Sequence, residues 1–216
     1  MYRYEALADK LIQDILREAK HVIGVTGTSC IGKSTFTKLL KSRLQPEYVV
    51  TVINVDSYLK KDIQGGTKFW NRCCEYLKPE HFDWKTLAQD VETLRLGREI
   101  EIQAYVRGVG WNNTEILKPA EILILEGLFL DSVEAAEAIK YDIMIALSAE
   151  DEFIRRLRME RDDYYRSHFK EFKRTKEETL KEIESTLKAG KSYQICDTIS
   201  DYRKLKVEEG FEVTIL

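Results

Sequence analysis

Only three prolines and four cysteines occur among the 216 residues, too few and too irregularly placed to staple the chain. Of Cys30, Cys73, Cys74 and Cys196, two are adjacent and one sits inside a glycine-bounded loop, which suits neither a disulfide framework nor a zinc site. Reduced thiols and a cytoplasmic location are the expectation. The histidines, His21, His81 and His168, show no metal-ligand spacing. No apolar run approaches the roughly 20 residues of a membrane span. The start of the chain lacks the apolar segment and small-residue cleavage site of a secretory signal. An excess of either charge is missing too. With 34 Lys+Arg against 37 Asp+Glu the net charge is −3, so no basic field recruits nucleic acid or an anionic membrane. There is no internal repeat and no low-complexity segment. What remains is an ordinary globular composition, 44% hydrophobic and 33% charged, expected to fold as one domain over residues 1–216.

The most specific feature present is Gly27-Thr28-Ser29-Cys30-Ile31-Gly32-Lys33-Ser34, a complete G-x-x-x-x-G-K-[ST] phosphate-binding loop. Its flanks are those such a loop needs. Val22 to Thr26 is a short apolar stretch that reads as a buried strand, and Ser34 to Leu44 carries apolar residues at helical spacing. The glycines let successive N–H groups turn inward toward phosphate oxygens, and the helix that follows adds its unpaired donors. Gly27 through Thr35 are therefore the expected nucleotide-binding residues. Lys33 is placed to reach the β and γ phosphates and Ser34 to ligate Mg²⁺. ATP and Mg²⁺ are the expected cofactors. Cys30, at a variable position of the loop, reads as a spacer, although a helix N-terminus can make a thiol reactive.

Along the rest of the chain, apolar strands alternate with helical patterns. An amphipathic N-terminal helix presents Leu7, Leu11, Ile15 and Leu16. Tyr48 to Asp56 and Ile122 to Glu126 read as apolar strands ending in an acid, and Tyr141 to Leu147 as a further strand. Gln64 to Thr67 reads as a loop. Pro79 to Gly97 signals a helix with Phe82, Leu87, Val91 and Leu94 inward. Ile100 to Val106, followed by Gly108 to Asn113, suggests a strand or small hairpin. Asp151 to Gly190 reads as a long charged helical stretch, and Phe211 to Leu216 as a closing strand. The expected fold is α/β, a P-loop NTPase architecture with a mostly parallel sheet flanked by helices. An Arg-rich helical lid and a small substrate-side hairpin complete it. Ligands bind such sheets at the carboxyl ends of the strands, where Asp56, Glu126 and the loop would gather.

Acids at that edge can hold Mg²⁺, directly or through water, or accept the proton of an attacking hydroxyl. No guanine-specifying N-K-x-D run and no L-S-G-G-Q signature occurs. A D-x-x-G string at Asp62-Ile63-Gln64-Gly65 follows no apolar strand. A phosphotransferase acting on a small molecule is left.

The order of motifs resembles the uridine kinase and phosphoribulokinase family. After the phosphate loop come Asp56-Ser57-Tyr58-Leu59 and Pro79-Glu80-His81-Phe82-Asp83, then Leu96-Gly97 leading to Tyr105. Leu125-Glu126-Gly127 and Leu157-Arg158-Met159-Glu160-Arg161-Asp162 follow, so the resemblance covers roughly residues 22 to 166. It implies Asp56 as general base near Mg²⁺, Glu126 assisting the metal through Ser34, and Lys33 with Arg158 and Arg161 as catalytic residues. Arg158, Arg161 and Arg166 would close over the triphosphate as a lid running from Asp151 to about Lys176. On the substrate side it implies Asp56, Tyr105 and Glu80, the last keeping an acid where the family has one. Tyr58 is a further expected contact, and Arg107, on the same strand or hairpin as Tyr105, is placed to pair with a carboxylate or phosphate of the substrate. Tyr58, Tyr105, Trp70 and Trp111 are the aromatics available to stack on a planar ring.

The chain departs from the family pattern in the substrate half. Glu80 replaces an Asp, Tyr105 is followed by Val106 instead of Asp, Gly110 stands where a His is expected, and Arg166 is followed by Ser167-His168. The expected acceptor is therefore a hydroxyl compound, a nucleoside first, with another small alcohol or sugar as the alternative. A nucleotide-binding regulator that has lost catalysis is the competing class. No nucleic acid or membrane partner is expected, and nothing forbids a homo-oligomer.

Overall fold

The computed structural model describes residues 4–17, 21–60, 77–106, 110–170, 172–190, 193–207 and 213–215. The Gln64 to Thr67 loop, Asp62, Trp70, Cys73, Cys74 and Arg107 lie outside them. In chain order the elements are α1 (Tyr4–Arg17), β1 (Val22–Gly27), α2 (Lys33–Leu44) and β2 (Val50–Asn54). There follow α3 (Trp84–Arg95), β3 (Ile100–Val106), β4 (Gly110–Leu117), β5 (Ile122–Glu126) and α4 (Val133–Ala138). The chain closes with β6 (Ile143–Ser148), α5 (Asp151–His168), α6 (Lys176–Ala189), β7 (Tyr202–Val207) and β8 (Val213–Ile215).

Six strands form one sheet in the order β2-β5-β1-β6-β7-β8, parallel except for β8, which runs antiparallel to β7. The apolar runs of the central strands are what a sheet covered on both faces requires. Alternate residues of β5 serve opposite faces. Ile122 and Ile124 join α1 and α2 through Leu11, Ile15, Phe36 and Leu40, whereas Leu123 and Leu125 join α3 through Leu87, Val91 and Leu94. Leu7 and Leu16 carry side chains outside the description.

The register decides where the site lies. Asn54 of β2 pairs with Glu126 of β5, and Glu126 with Val25 of β1. The phosphate loop, Glu126 and Asp56 therefore leave the sheet at one height and on one edge. Beyond β2 the chain turns through a short 3-10 segment, Val55–Tyr58. A separate two-stranded hairpin, β3 with β4, caps that turn.

Several boundaries differ from the sequence reading. β2 stops at Asn54, so Asp56 lies in the 3-10 turn and not at the strand end. β4 starts at Gly110, inside the expected break from Gly108 to Asn113. The helix expected from Pro79 begins with a 3-10 turn, Pro79–His81, and becomes α-helical only after Asp83, whose carboxylate accepts from the Thr86 N–H at 3.0 Å. The stretch from Asp151 to Gly190 is two helices. Thr175 caps the second, accepting from the Glu178 N–H, while the Glu178 carboxylate accepts from the Thr175 N–H. β7, too polar to read as a strand, is paired with β6. The chain before β7 is pinned by Asp131, a buried carboxylate that accepts from the Tyr193 and Tyr202 hydroxyls at 2.8 Å each. Burial, with the Asp131 charge adding to it, pushes both phenols above their ordinary range.

Candidate active site

The loop between β1 and α2 depends on two backbone features. Gly27 has φ 137°, and a Cβ there would stand 2.4 Å from the Leu147 carbonyl oxygen, so only glycine fits. Gly32 and Cys30 also take positive φ, 98° and 72°, which curls the loop ahead of α2. Lys33 folds across the loop, its Nζ donating to the carbonyls of Gly27 at 2.9 Å and Thr28 at 3.0 Å. Ser34 donates from Oγ to Glu126 Oε1 at 2.8 Å. That contact joins the first turn of α2 to the end of β5.

Asp56 is carried on the turn after β2. The Asn54 side chain accepts from the Asp56 N–H at 3.0 Å, an Asx cap that sets the turn. From the other side, the hairpin holds the turn twice. The Trp111 indole donates to the Asp56 carbonyl at 2.9 Å, and the Tyr105 N–H donates to Ser57 Oγ at 2.9 Å. The Tyr105 and Trp111 rings lie against each other with centroids 4.8 Å apart. Below the turn is Gly127, where a Cβ would meet Val55 Cβ at 2.4 Å. Asn54, Ser57, Trp111 and Gly127 thus position Asp56 without having been singled out for it. The signal for Asn54, an Asx residue two before the acid at a strand end, was present in the sequence.

The remaining expected residues divide clearly. Arg161 reaches the phosphate loop, its Nη1 donating to Ser29 Oγ at 3.2 Å. Burial works against its charge, but Cys30, Asp162 and Glu182 around it hold the guanidinium above its ordinary value. Arg158 is not brought to the loop. It is 2% exposed, and its guanidinium pairs with Glu182 and with Thr186 Oγ1 on α6. The cause is helical phase. Ile154, Arg158 and Asp162 recur every four residues and form the buried stripe of α5. Arg166 is also drawn into the joint between α5 and α6, donating to the Arg174 carbonyl, Thr179 and Asp163. Asp162, Asp163, Glu182 and Glu184 accept from the arginines of this lid, so their mutual repulsion is offset within the protein.

On the substrate side, Tyr58 is buried and its hydroxyl donates to Asp90 Oδ2 at 2.8 Å. Burial raises that phenol, with the Asp90 charge adding to it, and burial also raises the half-buried Asp90 carboxyl, against which the Tyr58 hydrogen bond works. The Glu80 carboxylate is exposed and lies 3.7 Å from Lys78 Nζ, while its carbonyl accepts from Lys60 Nζ.

Does Mg·ATP fit these residues? The donor set at the edge is hard oxygen, Ser34 Oγ against Glu126, with Asp56 on the neighbouring turn. Among the described residues no group of three or more His, Cys, Asp or Glu forms a cage for a metal ion. Magnesium ordinarily takes one or two protein oxygens and completes its shell with phosphate and water, which matches that set. A glycine-built loop opening onto a helix, with Lys33 and Arg161 beside it, is the cradle a triphosphate requires.

Fold and loop together define an α/β protein with a phosphate-binding loop at the edge of its mostly parallel sheet. The sequence pattern of the phosphoribulokinase/uridine kinase family matches residues 22–188, and the chain belongs to that family. A uridine kinase from Clostridium tetani is 33% identical over 140 residues, covering 63% of this chain and 66% of that protein. A uridine kinase from Mycoplasma pneumoniae is 27% identical over 145 residues, covering 65% of this chain and 66% of that one. The matched region thus spans slightly under two thirds of each relative. D-glycerate 3-kinase from Cryptococcus neoformans shares the fold, with TM-score 0.62 at 9% identity over 96% of this chain and 97% of that one. Among the described residues no helix is long and apolar enough to cross a membrane.

Proposed function

We propose that this protein transfers the γ-phosphoryl group of Mg·ATP to a hydroxyl of a small molecule, a nucleoside of the uridine type being the first candidate. The observation that carries the reading is the Ser34–Glu126 hydrogen bond beside the turn of Asp56. It supports reading Ser34 and Glu126 as a metal-side pair, and Asp56 as a proton acceptor, on the edge where the phosphate loop opens. When bound, Mg·ATP supplies the phosphoryl group with part of its charge neutralised. Ser34 and Glu126 hold the ion, directly or through water. Lys33, now on two loop carbonyls, turns to the β and γ phosphates, and Arg161 offsets charge that develops on the transferred group. Asp56 takes the proton of the attacking hydroxyl. A pure nucleotide-binding regulator would need no Asp56 held from three sides. We further propose a cytoplasmic enzyme whose partner is its small-molecule substrate.

A second acceptor class has its own support. Tyr58, Trp111 and Glu80 each direct a polar group to a protein partner, to Asp90, to the Asp56 carbonyl and toward Lys78. Fewer groups are then offered to a nucleobase, which favours a small alcohol or sugar. The test is ADP release from Mg·ATP with uridine, cytidine, other nucleosides and sugars, followed by mass analysis of the product. The expected result is a phosphorylated acceptor, with Lys33→Ala slower by about 10²–10³-fold and still folded. Wild-type turnover in a well-folded Lys33→Ala variant would overturn the assignment of the loop.

A further inference from the structure

We infer that Asp162 is the positioning residue of Arg161, and that α6 buttresses the phosphate site through it. The inference rests on the phosphoryl-transfer reading above. Asp162 is fully buried. Its Oδ1 accepts from Arg161 Nε at 3.0 Å and from Nη2 at 2.8 Å, gripping one edge of the guanidinium. A planar fork held by one edge presents the other in a fixed direction. Here that other edge, Nη1, points to Ser29 Oγ in the phosphate loop.

The grip is itself held from α6. Asp162 Oδ2 accepts from Thr179 Oγ1 at 3.0 Å and from Arg174 Nη1 at 3.4 Å. Thr179 is also fully buried, and its hydroxyl accepts from Arg166 Nη1 at 3.0 Å. A relay therefore runs from Arg166 and Thr179 through Asp162 to Arg161 and the loop. Arg174 is bound in turn by Glu182, which also holds Arg158.

The consequence is chemical. An arginine that must find its rotamer during each turnover loses side-chain entropy at that moment, whereas one held beforehand does not. Partners behind a directly acting group typically matter by about 10–100-fold. On this account Arg166 serves the site through the relay, although it makes its own contacts inside the lid.

A double-mutant cycle tests this, read as ADP release from Mg·ATP with pooled nucleosides and sugars and as affinity for Mg·AMP-PNP. Asp162→Asn should slow turnover by about 10–100-fold while changing analogue affinity far less. In an Arg161→Ala background the same substitution should have little further effect, because the group it positions is gone. Thr179→Val, nearly isosteric, should slow turnover by up to about 10-fold, because it removes a charge-assisted hydrogen bond to Asp162 Oδ2 while Arg174 still holds that oxygen. That loss too should vanish beside Arg161→Ala, so this variant carries the test should Asp162→Asn not fold. Losses that multiply across the cycle, or wild-type turnover in folded Asp162→Asn, would overturn the inference alone. A wild-type protein that neither binds Mg·AMP-PNP nor releases ADP would overturn the phosphoryl-transfer reading instead, and this inference with it.

Discussion

Arg158 and Arg161 stand three residues apart on one helix and do different work, because three residues rotate a side chain by roughly 300° about the helix axis. Arg161 looks to the loop and Arg158 into the joint with α6. A motif read as a string treats both as phosphate ligands, whereas the buried stripe of Ile154, Arg158 and Asp162 separates them. That stripe was hidden in the sequence because its members are apolar, basic and acidic in turn. The partner acid Glu182, 24 residues on, with Thr186 beside it, makes a buried arginine tolerable. Arg158→Met should therefore lower stability more than nucleotide affinity. Removing one partner of a buried pair costs about 3–5 kcal/mol, and here the loss should fall at or below that lower bound, since Arg174 remains to pair with Glu182. Urea denaturation and analogue binding measured side by side would decide it. An affinity loss in a variant of unchanged stability would return Arg158 to the phosphate site.

Elements whose ends carry local chemistry were legible and those defined by distant partners were not. β1, β5 and β6 are apolar enough to be seen as buried strands, and the loop's glycines mark its bounds. The break between α5 and α6 was legible too, in the Thr175 to Glu178 capping box, but a run of charges masked it. β7 was not, for its alternation of Tyr, Arg, Lys and Leu gains meaning only beside β6. The sequence suggested a strand or small hairpin from Ile100, with its second strand, β4, partly hidden in the glycine-rich break, and nothing local indicated that it would seat on the Asp56 turn. Its seating makes a prediction at this scale. Trp111→Phe keeps a ring against Tyr105 and removes the indole donor, leaving the Asp56 carbonyl without it. Stability should fall by about 1 kcal/mol, turnover should fall further, and affinity for Mg·AMP-PNP should hold. Equal losses in affinity and turnover would mean that the hairpin supports the fold and not the turn.

For the whole molecule, one row of paired residues, Asn54, Glu126 and Val25, fixes the height at which three strands release their functional loops. That the sheet is mostly parallel follows from its apolar central strands. Which strands are neighbours does not, and without the order β2-β5-β1 the sequence could place Asp56, Glu126 and the loop only on a common edge. It could not set the separation between them. The residues expected on the substrate side were the least legible, since Tyr58, Glu80 and Trp111 all turn polar atoms to protein partners that sequence order does not reveal.

Gly127 gives that separation a mechanical stop. The Asp56 turn rests on a bare α-carbon, with room for no further carbon before Val55. The gauge between the acid that would take a proton and the acid that would serve the ion is thus cut by a single missing methyl group. Gly127→Ala should lift the turn, costing about 1–3 kcal/mol as overpacking does and slowing turnover while the loop's hold on nucleotide survives. Repair should be graded. Val55→Ala removes only the outer methyls and leaves the Cβ that stands 2.4 Å away, so it should restore little. Val55→Gly clears the contact and should restore stability to Gly127→Ala only in part, since a glycine there frees the turn. Full recovery of turnover with Val55→Ala would show that the stop lies elsewhere.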